Sequence, residues 1–306
     1  MPSLNHTVTG INPANGIRLD LYIAQNLCLL SRSQIKARKL SALVNGKESK
    51  ISRLIKCGDI LELNWNEAEP VNLVPENIPL TILYEDDHVA VINKDQGMVV
   101  HPGAGIRSGT LANALYYRRL EKGVMINTEN IRPGIVHRLD KDTSGVIIAA
   151  YDEDTLVFLA DQFKARKVRK TYIAIVSGTP KEKKGRIETY MARDLKDRKR
   201  FVVSSRGKSA LSYYSVIKTW QSHSLLLLRP KTGRTHQLRV HLRYLGHPVI
   251  GDPLYGVNDS LFPHASLMLH ARKLEITLPG ESDSRVFTAP VPWRFRSMID
   301  ILDNRA

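Results

Sequence analysis

The chain has 306 residues, with 45 Lys and Arg against 30 Asp and Glu, giving a formal net charge of +15. That length can bury a full core and allows two domains, and the cationic excess suits a polyanion because each neutralised phosphate releases condensed counterions. Two cysteines, Cys28 and Cys57, build neither a disulfide framework nor a zinc site, and no run reaches the ~18 apolar residues of a membrane span. The start Met1-Pro2-Ser3-Leu4-Asn5-His6 lacks a basic-then-apolar leader, so a soluble cytoplasmic protein is expected.

In chain order, Leu19, Leu21-Tyr22-Ile23 and Leu27 predict a first helix. Ser31-Arg32-Ser33-Gln34 then caps a second one carrying Ile35, Lys36, Arg38 and Lys39. Leu43-Val44-Asn45-Gly46-Lys47 reads as a strand into an Asn-Gly turn, and Gly58-Asp59 as a turn into a closing strand over 60–63. The stretch Trp65 to Pro79 holds three prolines and three glutamates, which no helix sustains. It reads as a linker (65–79) between a small domain, 1–64 with its core at 16–64, and a large one, 80–306.

In the large domain, residues 82–94 predict two strands joined by an acidic turn. Helices are predicted over Thr110–Tyr117 and Asp154–Ala160, and hairpin strands over Ser212–Ile217 and Ser224–Leu228. A late strand is predicted over Phe287–Val291. This lacks the regular beat of a doubly wound fold; the class expected is α+β.

The decisive run is His137-Arg138-Leu139-Asp140-Lys141-Asp142-Thr143-Ser144-Gly145, followed by Val146-Ile147-Ile148-Ala149-Ala150. A carboxylate in a tight polar turn at the mouth of a buried strand is held rigidly, as a reacting group needs to be. Lys170-Thr171-Tyr172-Ile173-Ala174 is a strand that on its pattern alone reads as core. Thr232-Gly233-Arg234-Thr235-His236-Gln237-Leu238-Arg239 reads as a strand broken at Gly233 and a helix capped by Thr235, with Arg239 one turn in.

The three segments resemble the motifs of the RluA family of RNA pseudouridine synthases. His101-Pro102-Gly103-Ala104-Gly105 followed by Gly109-Thr110-Leu111 resembles its large-subunit ribosomal RNA (RluD-type) branch, and Gly251-Asp252-Pro253-Leu254-Tyr255-Gly256 and Leu269-His270-Ala271 are further landmarks of the family. Asn93-Lys94-Asp95-Gln96-Gly97 departs from that branch, which has Pro where this chain has Asp95. Residues 16–64 resemble a small RNA-binding domain named after a ribosomal protein of the small subunit. They lack the usual Gly before the strand, running Lys39-Leu40-Ser41-Ala42-Leu43.

The resemblance implies a central, mostly antiparallel sheet and isomerisation of uridine to pseudouridine, with neither cofactor nor metal. It makes Asp140 the nucleophile, Tyr172 the platform stacked on the flipped uracil, and Arg239 the partner of Asp140, with Arg234 as the alternative partner. Arg138 is expected to fill the gap left by the extruded base. His137, Lys170, Arg234, Arg18, Arg32, Lys36 and Lys39 are expected to contact RNA, as are the basic runs 164–170 and 198–200. Ribosomal RNA is the expected substrate, transfer RNA the alternative within the family, and a non-catalytic RNA-binding assembly factor the alternative outside it. A carboxylate-dependent hydrolase would want a second acid, for which Asp142 is the candidate. His236 and His241 point apart on a helix, so no metal is expected, and the protein is expected to act as a monomer.

Overall fold

A computed structural model describes residues 2–10, 16–30, 32–67, 73–103, 105–123 and 134–305. The chain divides into two compact units, one ending at Asn72 and the other beginning at Leu73.

In the first unit, strands β1 (Ser3–Thr7) and β2 (Ile17–Arg18) precede helices α1 (Leu19–Gln25) and α2 (Arg32–Ala37). Strands β3 (Ser41–Val44), β4 (Lys47–Ser49), β5 (Leu54–Ile55) and β6 (Ile60–Asn64) follow. The main sheet has the order β1-β6-β3-β4, all antiparallel. Alternation along β3 and β6 buries Ala42, Val44, Leu61 and Leu63 against Leu19, Tyr22, Ile23 and Ile35. The Asn45-Gly46 turn has both φ positive, 54° and 72°, as a two-residue hairpin requires. Asn45 Nδ2 also donates to Asp59 Oδ1 at 2.8 Å, tying this turn to the next.

Three details differ from the sequence reading. β1 was missed because Ser3-Leu4-Asn5-His6-Thr7 has no apolar alternation, yet it pairs along its whole length with β6. Arg38 and Lys39 are not helical: α2 ends at Ala37, and Lys39 takes φ 50°, the left-handed region that favours glycine. Trp65, assigned to the linker, is 8% exposed and belongs to this unit's core. The Ser31 cap and the side chain of Arg32 lie outside the described residues.

The second unit contains β7 (Ile82–Glu85), β8 (Val89–Lys94), α3 (Leu111–Glu121), β9 (Ser144–Ala150), α4 (Glu153–Lys164), β10 (Arg169–Ser177) and β11 (Lys184–Arg193). They are followed by β12 (Phe201–Val203), β13 (Lys208–Thr219), β14 (His223–Pro230), α5 (Gln237–Tyr244), β15 (Leu269–Thr277), β16 (Ser284–Thr288) and α6 (Trp293–Asp303). One sheet runs β12-β11-β13-β14-β10-β15-β9-β8-β7, with β16 also on β15. Every pairing is antiparallel except β9 with β15. The fold is therefore α+β with a central, mostly antiparallel sheet. The late strand lies at 284–288, three residues before its predicted start, and residues 289–291 are outside it.

β9 is buried at all seven positions because both faces are covered. Val146, Ile148 and Ala150 pack with Leu159 of α4, whereas Ile147 and Ala149 pack with Leu111 and Leu115 of α3. A strand covered on both faces reads as a continuous apolar run. Helix α3 is fastened at its far end by Arg118, whose Nε donates to Glu85 Oε1 at 2.7 Å, while Tyr151 Oη donates to the same carboxylate. The Arg118 guanidinium, then the Tyr151 hydroxyl, hold Glu85 down from 4.5 to about 2 against the effect of burial. A depressed carboxylate contributes stability that is complete above its unfolded pKa and is lost as pH falls toward its folded one. Glu85→Gln is therefore expected to lower the melting temperature at pH 7 and to weaken its dependence on pH between about 4.5 and 2, measured by calorimetry.

Candidate active site

Asp140 sits in the turn that enters β9, where Thr143 N–H donates to the Asp140 carbonyl at 3.1 Å. The turn is braced from behind by the 93–97 segment. Lys94 is 1% exposed and gives its three protons to the carbonyls of Asp95, Met98 and Lys141, at 2.7, 2.8 and 3.1 Å. Burial lowers its ammonium to about 8, opposed by the carboxylates of Asp142 and Asp140. Gln96 Nε2 donates to the Asp142 carbonyl at 3.0 Å and to that of Leu267 at 3.1 Å. The segment that departs from the resembled pattern thus still clamps the turn that holds Asp140.

Behind the turn, β9 and β15 are in register only at Ser144 with His270 and at Gly145 with Ala271. Gly145 has φ 115°, and a Cβ there would lie 2.2 Å from the Ala271 carbonyl oxygen. No side chain fits, so glycine sets how closely the strands approach. Ala271 in turn pairs with Tyr172 of β10. The register therefore lines up Gly145, Ala271 and Tyr172 across three strands, beside the turn that holds Asp140. A bulge between Thr171 and Tyr172 interrupts the pairing at that point. Burial, then Asp140, push the Tyr172 phenol above its ordinary value, so it is protonated at neutral pH.

Arg239 comes from the first turn of α5. Thr235 does not cap that helix: His236 takes the N-cap position with φ 57°, and no side chain caps it. The preceding turn is held instead by Gln237, whose Oε1 accepts from Thr232 Oγ1 at 2.7 Å and from Arg234 N–H at 3.0 Å. Arg239 Nη1 lies 3.6 Å from Asp140 Oδ2. Its stronger partner is Asp252, which accepts Nε and Nη2 at 2.7 Å each and also takes the N–H groups of Leu254 and Tyr255. Side-chain exposure is 4% for Arg239 and 0% for Asp252. The bidentate pair aims one guanidinium face, leaving Nη1 for Asp140. Sequence reading had Asp252 only as a family landmark.

Arg138, Asp140, Tyr172, Arg234, His236 and Arg239 line one cavity of about 560 Å³. Arg138 is exposed, and no carboxylate pairs with it among the described residues. Arg234 is not the partner of Asp140; its Nε donates to the Ser209 carbonyl at 3.1 Å. His137, grouped above with the RNA contacts, turns inward: its Nε2 accepts Ile148 N–H at 3.1 Å and its ring stacks on Phe163 at 4.6 Å. Burial, then Lys170, hold it at about 3, so it is neutral and fastens the turn to β9. Lys170 is half-buried on the cavity wall, its ammonium lowered by burial. In the first unit Lys36 and Lys39 are exposed, while Arg18 gives Nε and Nη2 to Asp20 at 3.0 Å each.

Residues 88–244 match the family described as RNA pseudouridylate synthase. The chain belongs to the RNA pseudouridine synthases. Within them it falls in the RluA family. It is 46% identical to the ribosomal large subunit pseudouridine synthase D of Borreliella burgdorferi, over 92% of this chain and 88% of that protein. It is 42% identical to an uncharacterized RNA pseudouridine synthase of Aquifex aeolicus, over 94% of this chain and 95% of that one. Among solved structures it resembles human RNA pseudouridylate synthase domain containing 4, with a TM-score of 0.58 and 26% identity. That match covers 73% of this chain and 93% of the human one. The synthase is thus an isomerase acting on RNA. No described helix is long and apolar enough to cross a membrane.

Proposed function

We propose that the synthase isomerises uridines of large-subunit ribosomal RNA, with Asp140 as nucleophile acting on a uridine flipped out of its stack. The observation that carries the chemical part is the pairing of an immobilised turn carboxylate with a committed cation: Asp140 stands 3.6 Å from a guanidinium that Asp252 already holds in place. A carboxylate held there can attack as it stands, with the guanidinium beside it to aim it. Tyr172 then offers its ring to the extruded uracil, and stacking of roughly 1–3 kcal/mol per base offsets much of the cost of unstacking. Arg138, exposed beside Asp140 and without a carboxylate partner among the described residues, fills the gap in the stack with a planar cation. Lys170, Arg234 and the first unit, through Arg18, Arg32, Lys36 and Lys39, hold phosphates.

The ribosomal target is supported by the 46% identity to a synthase named for the large ribosomal subunit. Pseudouridine mapping across total RNA from cells with and without this gene tests it. Sites in large-subunit ribosomal RNA are expected to vanish and to return with the wild-type gene but not with Asp140→Asn. Loss confined to transfer RNA would refute the ribosomal assignment.

A further inference from the structure

Opening the bond from ribose to N1 of uracil sends the electron pair onto the base, whose N1, O2 and O4 share the negative charge until C5 attacks the sugar. Later C5 gives up its proton and N1 gains one. Asp140 acts on the uridine, Tyr172 stacks, and Arg239 is committed to two carboxylates. None of these answers the charge that builds on the detached base.

His236 lines the same cavity. It alone in the segment 233–239 has a positive φ without being glycine, at 57° with ψ 15°, a conformation kept only where the surroundings impose it. Its side chain is held by Tyr255. Phe201 N–H donates to Tyr255 Oη at 2.8 Å, and His236 Nδ1 lies 2.9 Å from that same oxygen. Among the described residues the phenol proton has no other acceptor. Directed to Nδ1, it completes the bonding of both groups and leaves the imidazole proton on Nε2. Nε2 has no partner among the described residues, and the residue lines the cavity. The guanidinium groups of Arg239 and Arg200 lie 5.1 and 5.4 Å from the centre of the Tyr255 ring.

We propose that His236 is a further substrate-contacting residue, an imidazole locked by Tyr255 with its proton on Nε2, whose N–H forms a hydrogen bond to a carbonyl oxygen of the detached uracil. The inference rests on the uridine pocket proposed above. The role is that of an oxyanion donor fixed before the reaction, which needs no reorganisation as charge develops. A neutral imidazole fits it, since no proton is lost to the base. The surroundings keep it neutral: burial lowers its pKa, Arg239 and Arg138 add to that, and Asp140 and Asp252 oppose it.

Nitrogen-15 NMR of histidine-labelled enzyme reports the tautomer, and single-turnover rates at saturating RNA report the role. The expected results are a proton on Nε2 and a loss of about 100-fold for His236→Leu, with unchanged RNA affinity. At least tenfold recovery is expected in His236→Gln, whose amide places an N–H where Nε2 was. Both substitutions carry the same backbone constraint, so their difference isolates the donor. Tyr255→Phe keeps the ring under Arg239 and should slow the wild type while adding little to His236→Gln. A proton on Nδ1, or equal rates for the Leu and Gln variants, would overturn the proposal. Asp140→Asn in the same assay keeps the two readings apart: retained turnover there sinks the nucleophile, and a normal His236→Leu rate beside a dead Asp140→Asn sinks only the donor.

Discussion

Asp140→Asn is expected to lower single-turnover pseudouridine formation by at least about a thousandfold while leaving the fold and RNA affinity intact. The amide keeps the shape of the side chain but carries no charge and cannot act as a nucleophile. Stability should hardly change. The Asp140 carboxylate is 18% exposed, its nearest cation is 3.6 Å away, and that cation keeps both of its shorter bonds to Asp252. The turn is fixed by main-chain carbonyls, taken up by Lys94 and Gln96 rather than by the carboxylate. Affinity should stay within roughly threefold, since phosphate contacts dominate it. Pseudouridine formed at near wild-type rate by the purified variant would remove Asp140 from the mechanism.

What was legible in the sequence was what sits within one segment. Asp140 before an apolar run, Tyr172 on a strand and Arg239 one turn into a helix all reach the same cavity. The partner of Arg239 was not legible, because nothing in Gly251-Asp252-Pro253 says which distant cation its carboxylate meets. Lys94 was hidden for a different reason. A lysine ending a strand reads as solvent-facing, and only the closed fold reveals three carbonyls converging on its ammonium. His137 lines the cavity as well, but its Nε2 accepts the Ile148 amide and so also fastens the turn to β9, a second task that its place beside Asp140 in the sequence does not reveal. The Thr235 cap failed because Gln237 supplies the turn's hydrogen bonds from inside the helix.

Arg239 and Arg138 flank one carboxylate but should fail in different ways. Arg239→Ala strips a fully buried Asp252 of its bidentate partner, leaving only the N–H groups of Leu254 and Tyr255. Breaking a buried pair from one side costs about 3–5 kcal/mol. In a unit of this size that is roughly 6–20 °C in melting temperature. Asp252→Ala should cost a similar amount by stranding the guanidinium, and the double variant should cost less than the sum of the two. The rate should fall on every RNA, because Asp140 loses its cation whatever the substrate. Arg138→Ala removes an exposed side chain with no carboxylate partner among the described residues, so melting should not move. Its rate should fall most on a stable hairpin, where extrusion is costly, and least on a flexible unpaired uridine. Calorimetry and single-turnover rates on the two RNAs separate these outcomes. Wild-type melting for Arg239→Ala would deny the Asp252 pair its structural role, and an equal loss on both RNAs for Arg138→Ala would deny that residue a part in base extrusion.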